Sequence, residues 1–279
     1  MKYAVITGAS AGIGKEISID LASRGYGVVL VARRIEKLKE VAKTIRKENK
    51  GKERIALICR ADLEKSRAPE KIYDFCKKNK LDVEILVNNA GYGLPKPFHE
   101  VSMEDEENSL RVLGISVIAL TKKFIPDFLE KGYGKIMIVS SVASFAPPSA
   151  IQTLYGPIKT FMNRFSDSIN INYKKKGISS TSVCPGYTIT EFHSASGTQE
   201  QMDKVPAFMK LTAKRVAKEG LNAMFAGKRI SIPSKRYKVL VFLMKHFLLY
   251  NHQLLQKILQ YQQVDYLVLL ETFPQQFQP

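Results

Sequence analysis

The sequence predicts an α/β domain with a doubly wound parallel sheet, followed by a C-terminal helical extension. Three observations carry that expectation. Short apolar runs of strand length alternate with longer segments of helical period. The first run leads directly into a glycine-rich turn and then a helix. Polar residues able to hold or transform a ligand recur just after the apolar runs, and in such sheets the ligand lies outside the carboxyl ends of the strands. With 279 residues, 45% of them hydrophobic, the chain is long and apolar enough for one large domain with a sizeable core. We place that domain at residues 1–233 and the extension at 234–279.

Residues 3–6 are the first buried strand. Four apolar residues are too few for a signal-peptide core or a membrane span. Thr7-Gly8-Ala9-Ser10-Ala11-Gly12-Ile13-Gly14 is the turn, and a helix over 13–24 follows. Glycines permit the tight turn and let backbone approach a diphosphate, while the helix N-terminus supplies N–H donors and partial positive charge. Residues 27–31 are the second strand. An acid near its end would bind the ribose 2′-hydroxyl of NAD. Here the strand runs into Arg33-Arg34, with no acid until Glu36. Guanidinium groups suit a 2′-phosphate instead, which favours NADP(H). A lysine-rich helix over 35–48, a strand over 54–59 ending at Ala61-Asp62-Leu63, and a helix over 65–80 come next. A strand over 84–87 ends at Asn88-Asn89-Ala90-Gly91, and the apolar run 135–139 ends at Ser140-Ser141.

After a loop containing Pro147 and Pro148, Tyr155-Gly156-Pro157-Ile158-Lys159 opens a further helix, expected to begin near Leu154. Pro157 is tolerated there because a first turn loses nothing with the missing N–H. Positions four apart share a helix face, so Tyr155 and Lys159 point into one space, with the Ser141 hydroxyl opposite. A free phenol has a pKa of about 10, too high for a base near neutrality, and a neighbouring cation favours the phenolate. Tyr155 is then placed to exchange a proton with a carbonyl oxygen or an alcohol. A half-buried tyrosine beside a solvated lysine is the bland alternative, since many surface helices carry that pair.

With these residues in view, the chain resembles the short-chain dehydrogenase/reductase family over roughly residues 2–232. The family's T-G-x-x-x-G-x-G matches residues 7–14, its N-N-A-G residues 88–91, its Y-x-x-x-K Tyr155 and Lys159, and its P-G Pro185-Gly186. The resemblance implies a Rossmann-like fold, homodimers or homotetramers, and hydride transfer between NADP(H) and a carbonyl or alcohol. It implies that Gly8, Gly12 and Gly14 line the diphosphate, and that Ser10 and Arg33 face the adenosine ribose phosphate. Asp62 and Leu63 would flank the adenine, supported by Asn88. Tyr155 would be the acid/base, Lys159 would lower its pKa and bond the nicotinamide ribose, and Ser141 would orient the substrate carbonyl. The Pro185-Gly186 backbone and Thr190 would hold the carboxamide end. Ile13, Arg34, Ala90, Gly91 and Thr188 complete the expected cofactor-binding set.

Three departures from the family pattern stand out. Leu113 occupies the place of an asparagine that helps hold a relay water, with Ser116 one turn away as a substitute. Ser141 precedes Tyr155 by 14 positions, one more than is common. Pro157 lies inside the tyrosine–lysine pair. The lost asparagine motivates a rival function, an NADPH-binding sensor or membrane-associated scaffold with weak or no catalysis.

Residues 190–212 are expected to cover the substrate. The small polar stretch 194–199 reads as a mobile loop, and Ala207, Phe208, Met209 and Leu211 add apolar surface. A helix over 213–225 and a strand over 229–232 follow. From Ser234, basic residues flank apolar ones, and Lys245 and His246 interrupt the run, so it makes a poor membrane span. We expect an amphipathic helix that packs on the domain or a partner subunit, or else lies peripherally on an anionic membrane. The apolar tail and loop point to a lipophilic substrate.

The net charge is +17, which attracts anionic partners, but no nucleic-acid motif is present. Cys59, Cys76 and Cys184 form no C-x-x-C or paired framework, as expected of reduced thiols in the cytoplasm. No histidine pair has metal-ligand spacing, so no metal is expected.

Overall fold

The computed structural model of the chain describes residues 1–50, 55–147 and 152–248. Its strands are β1 (Lys2–Thr7), β2 (Gly27–Ala32), β3 (Ala56–Arg60), β4 (Asp82–Asn88), β5 (Gly134–Val139), β6 (Ile178–Val183), β7 (Thr188–Ile189), β8 (Leu211–Thr212) and β9 (Ile230–Ser231). Seven of them form one parallel sheet in the order β3-β2-β1-β4-β5-β6-β9, and β7 pairs with β8 outside it. The winding reverses between β1 and β4, and this opens a crevice beyond their carboxyl ends.

The helices are α1 (Gly12–Ser23), α2 (Ile35–Glu48), α3 (Ala68–Lys78), α4 (Met103–Leu110), α5 (Ser116–Lys131), α6 (Tyr155–Tyr173), α7 (Phe192–Ala195), α8 (Gln199–Lys204), α9 (Ala213–Phe225) and α10 (Lys235–Leu243). α1, α2 and α9 cover one face of the sheet, where Ile17, Leu21, Leu38, Val216 and Leu221 pack on Ala4, Ile6 and Leu30. α3, α5 and α6 cover the other, where Ile72, Phe124, Phe128 and Met162 pack on Val5, Val29 and Leu86. A sheet covered on both faces needs apolar residues at every position, which is why β2 reads Gly-Val-Val-Leu-Val-Ala without alternation. α2 shows the complementary pattern. Leu38, Val41, Ala42 and Ile45 form its buried stripe, and most of its lysines face water.

Three local features differ from the sequence expectation. α3 starts at Ala68, not at residue 65. Residues 63–67 form turns instead, with the Lys65 N–H donating to the Asp62 carbonyl at 3.0 Å, and Pro69 sits in the first helical turn, where it fits. Between α4 and α5 the chain widens into a π turn, Arg111–Ile115, which carries the buried Leu113. The stretch around residue 197 folds into the short helices α7 and α8 about Gly197. The Ser196 hydroxyl pins it by accepting the Gly93 N–H at 2.9 Å.

α10 packs on the domain. Its Tyr237 and Val241 are buried, and Tyr237 belongs to the same core as Leu211 and Val216. Among the described residues no helix is long and apolar enough to cross a membrane. Arg54, Pro148 and the apolar pairs Leu254-Leu255 and Ile258-Leu259 lie outside the described residues.

Candidate active site

The glycine turn after β1 is shaped by what it lacks. Gly8 and Gly12 have φ of +66° and +54°, the left-handed region that side chains disfavour. A Cβ at Gly8 would lie 2.7 Å from Asn89 Nδ2 and 2.9 Å from the Ala90 Cα, and one at Gly14 would run into the Gly8 carbonyl. Ala11, at the helix N-cap, supplies no side-chain acceptor to the first turn of α1. That leaves a bare, electropositive helix N-terminus over a backbone cradle, which fits a dinucleotide diphosphate. Ile13 lies half-buried in that first turn.

The Thr7 hydroxyl knits this turn to β4. It donates to the Val87 carbonyl at 3.3 Å and accepts the N–H groups of Asn89 at 2.9 Å and Ala90 at 3.1 Å. Asn89 Nδ2 donates back to the Thr7 carbonyl at 2.9 Å. So Asn89, absent from the sequence-derived set, is the side chain that ties the crevice walls together. Asn88 turns the other way, its amide nitrogen 3.5 Å from Thr121 Oγ1 and its Oδ1 buried without a partner.

At the β2 end, Arg33 donates to Glu64 at 2.8 Å and stands 4.0 Å from Asp62. Arg34 reaches the glycine turn, donating to Ser10 Oγ at 3.2 Å and to Glu191 at 2.7 Å. Lys37 donates to the other Glu191 oxygen at 2.6 Å. Of the two arginines, Arg34 is the one bonded to Ser10, where sequence reasoning had paired Ser10 with Arg33. The Leu63 side chain is buried among Cys59, Ala61 and Ile72, which leaves only its backbone for an adenine.

At the other end of the crevice, Tyr155 opens α6 with Leu154 as its N-cap, as the sequence predicts, and Pro157 stands in the first turn. The Ser141 hydroxyl neighbours the Tyr155 phenol and accepts the Ala143 N–H at 3.1 Å. Ser140 is committed elsewhere, its buried hydroxyl donating to the Lys159 carbonyl at 3.1 Å. Lys159 is buried. Its ammonium donates to the Val139 carbonyl at 2.8 Å and lies 5.4 Å from the centre of the Tyr155 ring. Burial pushes the phenol up to about 12, against the opposing effect of the neighbouring Ser141 hydroxyl, and pushes the lysine down to about 8. The expected lowering of the tyrosine by the lysine is therefore not the dominant effect in the chain by itself, because desolvation acts on both groups.

Leu113 presses against Gly91, where a Cβ would meet its Cδ2 at 2.6 Å, and Lys159 Nζ lies beyond at 4.0 Å. Ser116 does not replace the missing asparagine. Its buried hydroxyl donates to the Val112 carbonyl at 2.8 Å, inside the π turn. Cys184 is buried beneath the pair, its Sγ 3.6 Å from Asn163 Oδ1.

The substrate side is aromatic. Phe192 lies 6.0 Å from the Tyr155 ring, centre to centre, and packs edge-on against His193, which neighbours Tyr187. A cleft lined by Tyr92, Leu94, Lys96, Glu106 and Gln152 borders Tyr155. Thr190 lies over the glycine turn, 3.0 Å from where a Gly12 Cβ would be, and its Oγ1 accepts the Phe192 N–H at 3.1 Å. The Pro185 carbonyl accepts the Val142 N–H at 3.0 Å, and Thr188 is buried with its hydroxyl donating to the Gly186 carbonyl at 2.8 Å. Behind them stands Tyr237. Its ring fills the space a Gly186 side chain would need, and its hydroxyl accepts the Tyr187 N–H at 3.0 Å and donates to the Met209 carbonyl at 2.9 Å. Arg236 adds a hydrogen bond to the Phe208 carbonyl. No local signal in the sequence marks Tyr237, since its partners lie 28 and 50 residues away.

Comparisons with known proteins agree with this geometry. A family model for short chain dehydrogenases matches residues 2–201. The very-long-chain 3-oxoacyl-CoA reductase of the duck Anas platyrhynchos is 36% identical over 200 residues, covering 70% of this chain and 62% of that protein. The Bos taurus protein of the same name is 28% identical over 248 residues, covering 85% and 77%. The mouse 17-beta-hydroxysteroid dehydrogenase type 3 is 36% identical over 182 residues, covering 63% and 57%. The chain thus spans 57 to 77% of the length of these relatives. Among solved structures, a short-chain dehydrogenase from Sphingobium yanoikuyae in complex with NADPH matches with a TM-score of 0.77 and 26% identity, over 86% of this chain and 92% of that one.

Proposed function

Because the chain belongs to the short-chain dehydrogenase/reductase family, and is an oxidoreductase of carbonyl or alcohol groups, we propose that it uses NADP(H) to reduce the ketone of a long 3-oxoacyl thioester. The observation that carries this reading is Tyr155 at the carboxyl edge of the sheet, beside Ser141 and 5.4 Å from the ammonium of the buried Lys159. Bound NADPH supplies the hydride. The Ser141 hydroxyl holds the substrate oxygen, and Tyr155 gives that oxygen its proton. A phenol pushed up to about 12 stays protonated near neutrality, which suits a proton donor. Lys159, with its ammonium fixed by the Val139 carbonyl, keeps a positive charge beside the phenolate left behind. The aromatic wall of Phe192 and Tyr187, and the names of the relatives, support a lipophilic acyl substrate.

The test is NADPH oxidation with 3-oxoacyl-CoA substrates of increasing chain length. We expect the longer chains to react faster. Tyr155→Phe should lower kcat/KM by about 10²- to 10⁴-fold with NADPH binding unchanged. A variant as active as the wild type would remove Tyr155 from the reaction.

Leu113 favours a second reading, a nucleotide-binding protein with weak catalysis. It places an apolar side chain beside Gly91 and Lys159, at the family's asparagine position. Tight NADPH binding with no turnover of any ketone or aldehyde would select that reading.

A further inference from the structure

The carboxylate of Glu191 is held at both oxygens, by Arg34 at 2.7 Å and by Lys37 at 2.6 Å. The two cations stand at the start of α2, whereas Glu191 stands on the segment that leaves β7 for the substrate loop. Arg34 also bonds Ser10 in the glycine turn, and Thr190, the neighbour of Glu191, lies on Gly12. The loop is therefore strapped across the crevice at the place where an adenosine ribose would meet Ser10 and Arg34.

We propose that Glu191 is an internal competitor for the adenosine 2′-phosphate. Its carboxylate takes the cations that the phosphate would engage, and the phosphate must displace it. The inference rests on the NADP(H) reading above. Three physical points support it. A phosphomonoester carries more charge than a carboxylate and offers three acceptor oxygens, so it outbids Glu191 for a guanidinium and an ammonium. The ion pairs are half-exposed, with side-chain accessibilities of 51%, 43% and 44% for Arg34, Lys37 and Glu191, and exposed pairs hold weakly enough to be exchanged. A Glu191 left beside the phosphate would repel it, so the loop must move when the phosphate arrives. A nucleotide without the 2′-phosphate leaves the strap closed. Glu191 thus sets both the contrast between the two nucleotides and the position of α7 and α8, which follow it.

The test is calorimetric titration of the full chain with 2′,5′-ADP and with 5′-AMP at low salt, in the wild type and in Glu191→Gln. Glutamine keeps the size and removes the charge. We expect the variant to bind 2′,5′-ADP roughly three- to tenfold more tightly and 5′-AMP within twofold of the wild type. The gain should shrink as salt rises. In the wild type, 2′,5′-ADP should also speed amide exchange in residues 191–204, an effect that 5′-AMP lacks. Unchanged or weaker 2′,5′-ADP binding in the variant overturns the competitor role, because Glu191 then merely ties the loop down or orients Arg34. If neither protein prefers 2′,5′-ADP to 5′-AMP, the NADP(H) reading itself fails, and the inference fails with it.

Discussion

The two ends of the crevice are built by different means. At the glycine turn, position is fixed by backbone and by the absence of side chains, among residues close in sequence or on adjacent strands. At the substrate loop, position is fixed by side chains from remote segments. Tyr237 and Arg236 come from α10, and Ser196 reaches back to Gly93. The first end cannot tolerate an added methyl group. The second cannot tolerate the loss of one large ring. The glycine cradle and the Tyr237 end of the loop should therefore fail separately under mutation, with Glu191 the strap between them.

The largest expected effect on stability is at Tyr237. Its ring is buried against Gly186, so Tyr237→Ala should leave a cavity and cost about 3–5 kcal/mol, read as a fall in the denaturant midpoint. Gly8→Ala comes next. The strained φ and the crowding against Ala90 should cost about 1–3 kcal/mol and abolish binding of 2′,5′-ADP and 5′-AMP alike, while exchange in α10 stays slow. Tyr237→Phe sharpens the contrast. It keeps the ring but removes the hydroxyl that joins the Tyr187 N–H to the Met209 carbonyl, at a cost of about 0.5–1.5 kcal/mol. Amide exchange at Tyr187 should quicken, with nucleotide affinity within twofold of the wild type. Nucleotide binding lost in Tyr237→Phe would show that the two ends are coupled.

The smallest effect is pH-dependent. Burial places Lys159 at about 8 in the folded chain, below its ordinary 10.5, so between those values the unfolded chain holds the extra proton. The sign follows directly: this contribution to stability grows as pH rises through the window. Relative to Lys159→Met, the wild type should gain about 1 kcal/mol between pH 8 and 9, measured by denaturant titration of both proteins. The difference between the two proteins matters because the buried cysteines, whose thiols are raised, pull the other way above pH 9.

The same division explains what the sequence discloses. The glycine turn, the Asn88-Asn89 end of β4 and the Tyr155–Lys159 pair are legible because each is a short run whose spacing dictates its geometry. The doubly wound sheet follows from unbroken apolar strands such as β2, whereas its strand order comes only from the structure. Ser141 is legible from its place after β5, and the structure adds that the adjacent Ser140 hydroxyl is bonded to the Lys159 carbonyl. The π turn at Leu113 has no spacing signal. Tyr237 and Glu191 read as ordinary residues because each acts through partners far away in the chain. The small residues 194–199 suggested mobility, yet Ser196 and the His193–Thr198 contact at 3.1 Å hold them in two helical turns.

Tyr237 also bears on how the chain comes into being. Synthesis proceeds from the N-terminus, so β1 to β4, with the whole glycine turn, emerge well before α10. Until Tyr237 arrives, Gly186 faces an open hole, and Tyr187 and Met209 have no shared partner. A ribosome-bound chain can thus acquire its nucleotide cradle first and its substrate pocket last. A nascent chain stalled between these points would expose the vacant slot beneath Gly186, the kind of apolar surface that chaperones grip.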